Sequence, residues 1–372
     1  MKLFGYGLKL MDAFLLFIPI ALALELSHAP GWAVFISSLL AIIPLAGRMG
    51  EATEELTKYL GPNAGGFLNA TFGNATELII ALIAIDKGLF ELVKASITGS
   101  IVGNLLFVLG LAILLGGHKI KEQKFNTKAA GVNSSMMLIA VISMIIPSAF
   151  FIFSKTPASE LAFQTEEISL LVSVILIICY LLSLYFSFRT HKYLFHTSEH
   201  SEEAGKPALS RNAAIALLIL CTIGVAVMAE LFIGAIESFL AKPIAYNILG
   251  FAGTLAIHEL FLGAVVVAVI GNATEHISAV IAAIKDNMDL AISITAGSSI
   301  QIALFVAPLL VIISFLMGKP MDLVFTLFEI LAVFASVIIV NEISSDGECN
   351  WFEGVQLLAM YLLVAVLFFF AV

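Results

Sequence analysis

The sequence predicts an all-α membrane protein with about eleven transmembrane helices. Of its 372 residues, 60% are hydrophobic and only 12% are charged, whereas about 25% of the residues in soluble domains are charged. Apolar runs long enough to span a bilayer follow one another with short polar connections between them. The lipid bilayer is therefore the expected environment. The net charge of −9 does not indicate a nucleic-acid partner, because the basic residues are confined to short loops.

The predicted spans follow one another along the chain. They cover residues 10–27, 31–50, 64–86, 95–116, 129–153, 166–188, 210–240, 258–284, 288–317, 320–343 and 351–371. The first run lacks a convincing cleavage site and leads into the second, so we expect a span there and not a cleaved signal peptide. Residues 189–209 lie in the longest polar connection and are predicted to form a cytoplasmic linker.

The basic residues predict the orientation of the chain. If the N-terminus lies inside, most of the 18 Lys and Arg residues fall in loops on the inner side. Cytoplasmic loops of membrane proteins carry an excess of these residues. We therefore expect a cytoplasmic N-terminus and, because the number of spans is odd, a C-terminus on the outer side.

The five-residue sequence Gly-Asn-Ala-Thr-Glu occurs twice, at 73–77 and at 271–275. Each copy places one carboxylate, that of Glu77 or Glu275, within an apolar run. A carboxylate at the depth of the bilayer is energetically costly, so it is a candidate functional residue by default. Two of them in matched positions predict one site built by two halves of the protein.

The sequence that follows each motif is also repeated. The interval from Gly73 to Gly99 equals that from Gly271 to Gly297, and the next residues align without a gap. If the first span is set aside, the other ten divide into five and five, and an odd number per half inverts the second half relative to the first. The predicted layout is an extra N-terminal helix (1–30), a first inverted repeat (31–188), the linker (189–209) and a second inverted repeat (210–372).

The motif supplies oxygen ligands. Gly and Asn tolerate non-helical backbone angles, so each helix is expected to break just before its glutamate and to free backbone carbonyl groups. With Asn74, Asn272 and the two carboxylates, these oxygens form the kind of ligand set that Ca²⁺ prefers, six to eight oxygens. The sequence has no paired His or Cys ligands, which argues against zinc or copper.

Polar residues on the next predicted span of each half are expected to support the site. In the first half, Ser100 and Asn104 are four residues apart and share a helix face. In the second half the corresponding residues are Ser298, Ser299 and Gln301. We expect Asn104 and Gln301 to position the opposite carboxylate or to bind the ion through water. The alternative is that the small polar residues only hold helices together.

The two carboxylates also predict coupling to protons. Two buried carboxylates close together cannot both stay charged without a cation, so Ca²⁺ and H⁺ compete for the same oxygens. A carrier loaded with either ion can move, whereas an empty, doubly charged site is costly to move through hydrocarbon. This exchange needs no covalent chemistry, and the sequence offers no nucleophile–base pair that would indicate an enzyme. We expect no cofactor.

Two further residues are candidates for lesser roles. Glu230 lies deep in the seventh run and could line an outer cavity that serves as a cation or proton path. His276 follows Glu275 directly and could tune its protonation, although adjacent side chains on a helix point in different directions. The alternative for both residues is a purely structural role.

These motifs resemble the two alpha-repeats of the cation/proton exchangers, which are Ca²⁺/H⁺ antiporters within the calcium/cation antiporter superfamily. The resemblance rests on both glutamate motifs and on the Gly-Ser sequences that begin at Gly99 and Gly297, and it covers nearly the whole chain. It implies that Glu77 and Glu275 carry Ca²⁺ and H⁺ in turn, and that the first two helices of each repeat slide as a gating bundle. Eukaryotic vacuolar members have a long acidic segment between the halves. The short linker here favours a prokaryotic member in the plasma membrane.

The predicted function is export of Ca²⁺ in exchange for H⁺ by alternating access. The second candidate is Na⁺/Ca²⁺ exchange on the same architecture, for which more neutral Ser and Thr oxygens are expected around the carboxylates. A cation channel is less favoured, because channels usually build their filters from rotationally related subunits. The sequence pattern does not indicate an oligomeric state.

Overall fold

A computed structural model describes residues 12–118, 120–195, 207–240, 244–248, 251–255 and 258–371. The start of the predicted N-terminal helix and most of the predicted linker lie outside this part of the chain. The described residues are mostly helical, and their helices follow the apolar runs of the sequence.

The first half of the chain begins with α1 (Phe17–Leu26), which follows the 3₁₀ turn Phe14–Leu16. The next helices are α2 (Gly31–Phe72), α3 (Ala75–Asp86) and α4, which comprises Phe90–Val102, the π-helical turn Gly103–Val108 and Leu109–Gly116. They are followed by α5 (Thr127–Phe153), α6 (Ala158–Tyr185), a π-helical turn at Phe186–Thr190 and the short helix α7 (Lys192–Phe195).

The second half begins with α8 (Arg211–Leu240). It continues with α9, which comprises Glu259–Phe261, the π-helical turn Leu262–Val267 and Ala268–Gly271, and with α10 (Ala273–Ile284). The last helices are α11, which comprises Met288–Gln301, the π-helical turn Ile302–Val306 and Ala307–Leu316, α12 (Leu327–Ile343) and α13 (Trp351–Phe370).

The prediction of a helix over 320–343 is wrong at its start, because α12 begins only at Leu327. Thr326 caps this helix. Its hydroxyl accepts a hydrogen bond from the backbone N–H of Glu329, and the Glu329 carboxylate accepts one from the backbone N–H of Thr326. This reciprocal cap satisfies backbone donors at the start of the helix and sets its first residue.

Four short strands form two antiparallel pairs. β1 (Gln123–Lys124) pairs with β4 (Glu348–Cys349), and β2 (Ile244–Ile248) pairs with β3 (Phe251–Leu255). The first pair joins a loop of the first half to a loop of the second half. The second pair is a hairpin between α8 and α9.

Helix α2 is longer than a bilayer is thick and folds back on itself. Its 42 residues would extend about 63 Å as a straight helix, about twice the thickness of the hydrocarbon core. A Cβ atom built on Gly65 would lie 2.8 Å from Cβ of Thr57, whereas residues eight apart on a straight helix are about 12 Å apart. The helix therefore turns back sharply between these residues, where the sequence has Gly61 and Pro62. The second predicted span corresponds to the part of α2 before this turn. The third corresponds to the part of α2 after the turn together with α3.

The helix breaks that the sequence predicts before each glutamate are confirmed. In the first half, α2 ends at Phe72 and α3 begins at Ala75. In the second half, α9 ends at Gly271 and α10 begins at Ala273, with an angle of 62° between the two helices. Both motif sequences thus join two helices end to end.

Contacts between loops define two ends of the helix bundle. Near the start of α4, Lys319 pairs with Asp86 at 2.6 Å. Near the end of α4, Gln123 donates to the carbonyl of Ala283 at 2.9 Å, and β1 pairs with β4. Because α4 is a single long helix, these two groups of loops lie at opposite ends of the molecule.

In the described part of the chain, seven helices are long and apolar enough to cross a membrane, and the bent pair α9–α10 passes the same test as one span. In the apolar stretch of α4, 83% of the residues are buried inside the molecule, whereas in that of α6 only 22% are buried. Helix α4 is therefore central, whereas α6 exposes apolar side chains such as Leu171 and Ile175, as lipid-facing helices do. The protein is an integral membrane protein.

Candidate ion-binding site

The two motif glutamates lie at the starts of two short helices deep inside the molecule. Glu77 is in the first turn of α3 and Glu275 is in the first turn of α10. The residues that precede these helices, Asn74 and Asn272, are each only 1% exposed. The N-terminus of a helix carries a partial positive charge that stabilises anions. Each carboxylate therefore lies where a helix end favours negative charge.

The backbone leaves the helical conformation at the asparagines of the motifs. Asn74 (φ −105°, ψ 22°) and Asn272 (φ −96°, ψ 11°) lie near the bridge region of backbone space. Gly73 keeps helical angles (φ −56°, ψ −40°), so the break in the first motif lies at the asparagine. At Gly271 the requirement is space, because a Cβ atom there would lie 3.1 Å from Oε1 of Glu77. The carboxylate of the first motif thus reaches the helix break of the second.

Four oxygens of the two motifs are buried without a hydrogen-bond partner. The Glu77 carboxylate reaches Gly271, four residues before Glu275. Oε2 of each glutamate and Oδ1 of Asn74 and Asn272 have no hydrogen-bond partner among the described residues. Buried polar atoms are nearly always paired. Gln123 Oε1 and Asn341 Oδ1 also lack a partner among the described residues, but the four motif oxygens occupy matched positions of the two motifs and are free to bind a cation.

The amide groups of the asparagines explain why their oxygens are free. Asn272 Nδ2 donates to Ser100 Oγ at 3.0 Å and to the carbonyl of Ala268 at 2.9 Å. Asn74 Nδ2 donates to Gln301 Oε1. Because the NH₂ group of each asparagine is occupied by acceptors from the opposite half or from its own helix, the carbonyl oxygen is left to face the site.

Asn104 connects the first half to the second motif. Its Nδ2 donates to Ser298 Oγ at 3.1 Å, and its Oδ1 lies 3.1 Å from His276 Nε2. Because Oδ1 can only accept, the Nε2 atom of His276 carries the hydrogen in this arrangement. The Ser298 hydroxyl also faces the Glu275 carboxylate. Asn104 thus acts on Glu275 indirectly, through Ser298.

The structure therefore places Ser100, Asn104, Ser298 and Gln301 beside the two motifs. Their roles in positioning a carboxylate or binding an ion stay predictions. Ser299 is different, because its hydroxyl donates to the carbonyl of Thr295 at 2.9 Å and to that of Ile101 at 3.4 Å. These bonds favour the alternative of a helix contact for Ser299.

Sequence reasoning missed one residue of this network, Tyr180 on α6. Its hydroxyl accepts a hydrogen bond from Gln301 Nε2 at 2.8 Å, and its ring stacks on Phe305 with centroids 5.3 Å apart. In the sequence, Tyr180 stands in an apolar run without a motif around it. No local signal indicates its position, since only the packing of α6 against α11 brings it to Gln301.

Glu230 lies away from the two motifs. Its carboxylate pairs with Lys87 Nζ at 2.5 Å, at the end of α3 remote from Glu77. The pair borders a cavity of about 320 Å³ that is also lined by Glu25 and Gly234. The structure thus places Glu230 at the edge of a hollow, and whether this hollow is the predicted outer cavity stays a prediction. A role in an ion or proton path stays a prediction.

The donor set is made of hard oxygens. No group of three or more His, Cys, Asp or Glu side chains in the described ranges is arranged to hold a metal ion. The site offers instead two carboxylates and two amide oxygens. Two carboxylates balance the charge of one divalent cation, and Ca²⁺ accepts neutral amide, backbone and water oxygens as its remaining ligands.

Residues 30–189 and 213–370 match the sodium/calcium exchanger protein family. The chain belongs to this family. The two matched segments correspond closely to the predicted repeats, and the gap between them falls on the predicted linker.

Relatives within the family are similar over nearly their full length. The chain is 46% identical to a Ca²⁺/H⁺ antiporter of Synechocystis sp. over 97% of each protein. It is 41% identical to the Ca²⁺/H⁺ antiporter ChaA of Bacillus subtilis, covering 95% of this chain and 96% of that protein. The crystal structure of the Ca²⁺/H⁺ antiporter protein YfkE is similar with a TM-score of 0.79 and 37% identity, covering 97% of this chain and 99% of that one.

Proposed function

We propose that this protein is a Ca²⁺/H⁺ antiporter that exports Ca²⁺ from the cell in exchange for protons. The observation that carries the proposal is the set of four buried, unpartnered oxygens on Asn74, Glu77, Asn272 and Glu275. The relatives named Ca²⁺/H⁺ antiporter support the choice of ions, because their similarity extends over almost the whole chain.

Exchange follows from competition for these oxygens. Glu77 and Glu275 repel each other when both are charged, so the site is stable only when it holds a cation or when protons neutralise the carboxylates. A Ca²⁺ ion binds both carboxylates and the amide oxygens of Asn74 and Asn272. Protons displace it by removing the negative charge. The unloaded, charged site does not cross the membrane interior, which couples the two fluxes.

The layout that suits this mechanism is two inverted repeats, 31–188 and 210–372, after an N-terminal helix at 1–30, with eleven spans in all. Equal spacing of helices supports it, since the interval from Ala75 to Phe90 equals that from Ala273 to Met288. Both α4 and α11 also contain a π-helical turn near their polar residues, which includes Asn104 in α4 and begins directly after Gln301 in α11. We place the N-terminus and the linker at 189–209 in the cytoplasm and the C-terminus outside, in a prokaryotic plasma membrane.

Na⁺/Ca²⁺ exchange is the second candidate, because the family takes its description from that activity. A Na⁺ site is expected to use several neutral hydroxyl oxygens. Here the Ser100 hydroxyl oxygen already accepts a hydrogen bond from Asn272, which makes it less available to a cation. This contact favours H⁺ over Na⁺ as the counter-ion.

The test is Ca²⁺ uptake into everted membrane vesicles that contain the protein. An imposed proton gradient, acid inside, should drive uptake, and an equal Na⁺ gradient at constant pH should not. Uptake driven by Na⁺ alone would establish the second candidate. Ca²⁺ uptake at the same rate with and without either gradient would indicate a channel.

A further inference from the structure

We infer that Tyr180 is a positioning residue for Ca²⁺, acting through Gln301 on the amide oxygen of Asn74. The inference rests on the proposed function. It concerns a side chain on α6, outside both motifs and outside the polar spans that follow them.

The contacts form a chain of three side chains. The Tyr180 hydroxyl accepts from Gln301 Nε2 at 2.8 Å, and Gln301 Oε1 accepts from Asn74 Nδ2. Asn74 Oδ1 is then the free end, buried and without a partner among the described residues. The direction of the first bond sets the direction of the second, because each amide has one donor end and one acceptor end.

The orientation of the Asn74 amide decides whether it attracts or repels a cation. With Nδ2 held by Gln301, the oxygen faces the site and can bind Ca²⁺. If Gln301 turned over, its NH₂ group would meet the NH₂ group of Asn74, and Asn74 would have to present its donor end to the cation. The hydroxyl of Tyr180 anchors the NH₂ end of Gln301, which keeps Gln301 Oε1 in place to accept from Asn74.

Tyr180 is well suited to this role because its ring cannot move freely. The residue is 5% exposed, and the ring stacks on Phe305, four positions after Gln301 on the same helix. A stacked, buried ring fixes the place of its hydroxyl at little entropic cost.

The two halves of the site differ in this respect. Asn272 is oriented directly by Ser100 and by the carbonyl of Ala268, without a third residue. Loss of a distant hydroxyl therefore affects only the first-motif side. The structure thus assigns an asymmetric support to two motifs that have the same sequence.

The experiment compares Tyr180→Phe with Tyr361→Phe. Tyr361 is a partly buried tyrosine on α13 whose ring packs on Phe107 at 5.1 Å and whose hydroxyl forms no hydrogen bond with the described residues. Purified proteins are tested for direct binding of ⁴⁵Ca²⁺ at fixed pH and, in proteoliposomes, for the Ca²⁺ concentration that gives half-maximal exchange. Thermal unfolding checks that each variant is folded.

Tyr180→Phe should raise the dissociation constant for Ca²⁺ and the half-saturating concentration roughly three- to tenfold, the effect of losing one hydrogen bond. The maximal rate should stay within about twofold, since the carboxylates that carry the ions are unchanged. Tyr361→Phe should leave both values unchanged. A tyrosine that only stabilised the fold would instead lower the amount of active protein at unchanged affinity.

The double variant with Gln301→Ala identifies the path. If Tyr180 acts through Gln301, Tyr180→Phe should add nothing further to the effect of Gln301→Ala. Additive effects, or a Tyr180→Phe affinity equal to that of the wild type, would overturn the inference.

Direct binding separates this result from the proposed function. A wild-type protein that binds Ca²⁺ but shows no proton-driven exchange would contradict the proposed function and leave the binding comparison valid. A wild-type protein that binds no Ca²⁺ would overturn both.

Discussion

Glu77 and Glu275 differ from Glu329, which also lies inside an apolar helical run. Glu329 is 1% exposed, yet it accepts hydrogen bonds from Thr98 and Thr326 and forms part of a helix cap. Each motif glutamate keeps a buried oxygen without a hydrogen-bond partner in the part of the chain that the structure describes. In the sequence, the repeated motif singles out Glu77 and Glu275, whereas Glu329 is a lone carboxylate in an apolar run. The neighbours in space show why Glu329 is a structural carboxylate.

At these residues we predict that Glu77→Gln and Glu275→Gln each reduce Ca²⁺/H⁺ exchange to the level of vesicles without the protein. Glutamine keeps the size of the side chain but cannot take up a proton or balance the charge of Ca²⁺. Initial Ca²⁺ uptake under a proton gradient measures the effect, and gel filtration in detergent checks the fold.

The matched control is Glu342→Gln, which removes an exposed carboxylate at the end of α12. Its exchange rate should equal that of the wild type. If either motif variant keeps normal Ca²⁺-driven proton release, the assignment of these glutamates is wrong.

Cys349 gives a second prediction at the level of a residue. It lies on β4, outside the predicted spans, and is 2% exposed. Burial, together with the nearby carboxylates of Glu353 and Asp346, raises the pKa of its thiol to about 12. The raised pKa means that the reactive thiolate is scarce at neutral pH and increases only as the pH rises toward 12.

In a Cys179→Ala/Cys221→Ala background, Cys349 should therefore react with a thiol reagent slowly between pH 7 and 9, at least about tenfold more slowly than after unfolding in detergent. Absorbance of the released chromophore measures the rate. Equal rates in the folded and unfolded protein would contradict the buried position of the thiol.

The crossing of α4 and α9 shows how two helices bring the halves together. A Cβ atom on Gly99 would lie 2.1 Å from the carbonyl oxygen of Ala264, and one on Gly263 would lie 2.7 Å from Cβ of Ala95. Small residues allow this backbone contact, as at other helix crossings in membranes. The contact holds α4, with Ser100 and Asn104, against the helix that leads to the second motif.

We expect Gly99→Ala to destabilise the protein by about 1–3 kcal/mol or more, because no side chain can occupy this space without separating the helices. Gly103→Ala, one turn later on the same helix, is the control, since a Cβ atom there would have nothing within 4 Å. The yield of monodisperse protein and its unfolding temperature in detergent distinguish the two variants. Similar stability of both variants would show that the close approach of α4 and α9 is incorrect.

The two repeats are not equivalent at this glycine. Gly99 and Gly297 begin the same Gly-Ser sequence, but a Cβ atom on Gly297 would meet nothing within 4 Å. The repeated sequence predicts equal roles for the two residues. The structure shows unequal ones, because α9 approaches Gly99 closely and leaves no counterpart contact at Gly297.

For the whole molecule, loop contacts establish relative sidedness but not absolute orientation. Lys319 and Asp86 mark one end, and β1 with β4 marks the other. The predicted spans place the first group of loops outside and the second inside. The contacts agree with this placement, because each of them joins two loops that are predicted to lie on the same side of the membrane.

Single cysteines test the proposed orientation. Lys319→Cys should react with a membrane-impermeant maleimide in intact cells, whereas Lys124→Cys on β1 should react only after permeabilisation. Both side chains are accessible, with 43% and 74% of their surface exposed. If both cysteines were labelled from the same side of the membrane, the two groups of loops would not lie at opposite ends. If only Lys124→Cys were labelled in intact cells, the two ends would stand but the proposed orientation would be reversed.

The sequence by itself determined the membrane class, most helix positions, the two breaks and the oxygen chemistry of the motifs. These properties are local, because hydropathy, breakers and ligand types act within a few residues. The tertiary structure alone decided which oxygens remain unpaired, that Gly271 makes room for Glu77, and that Tyr180 reaches Gln301. Each of these depends on residues far apart in the chain, and the packing of helices against one another sets their distances.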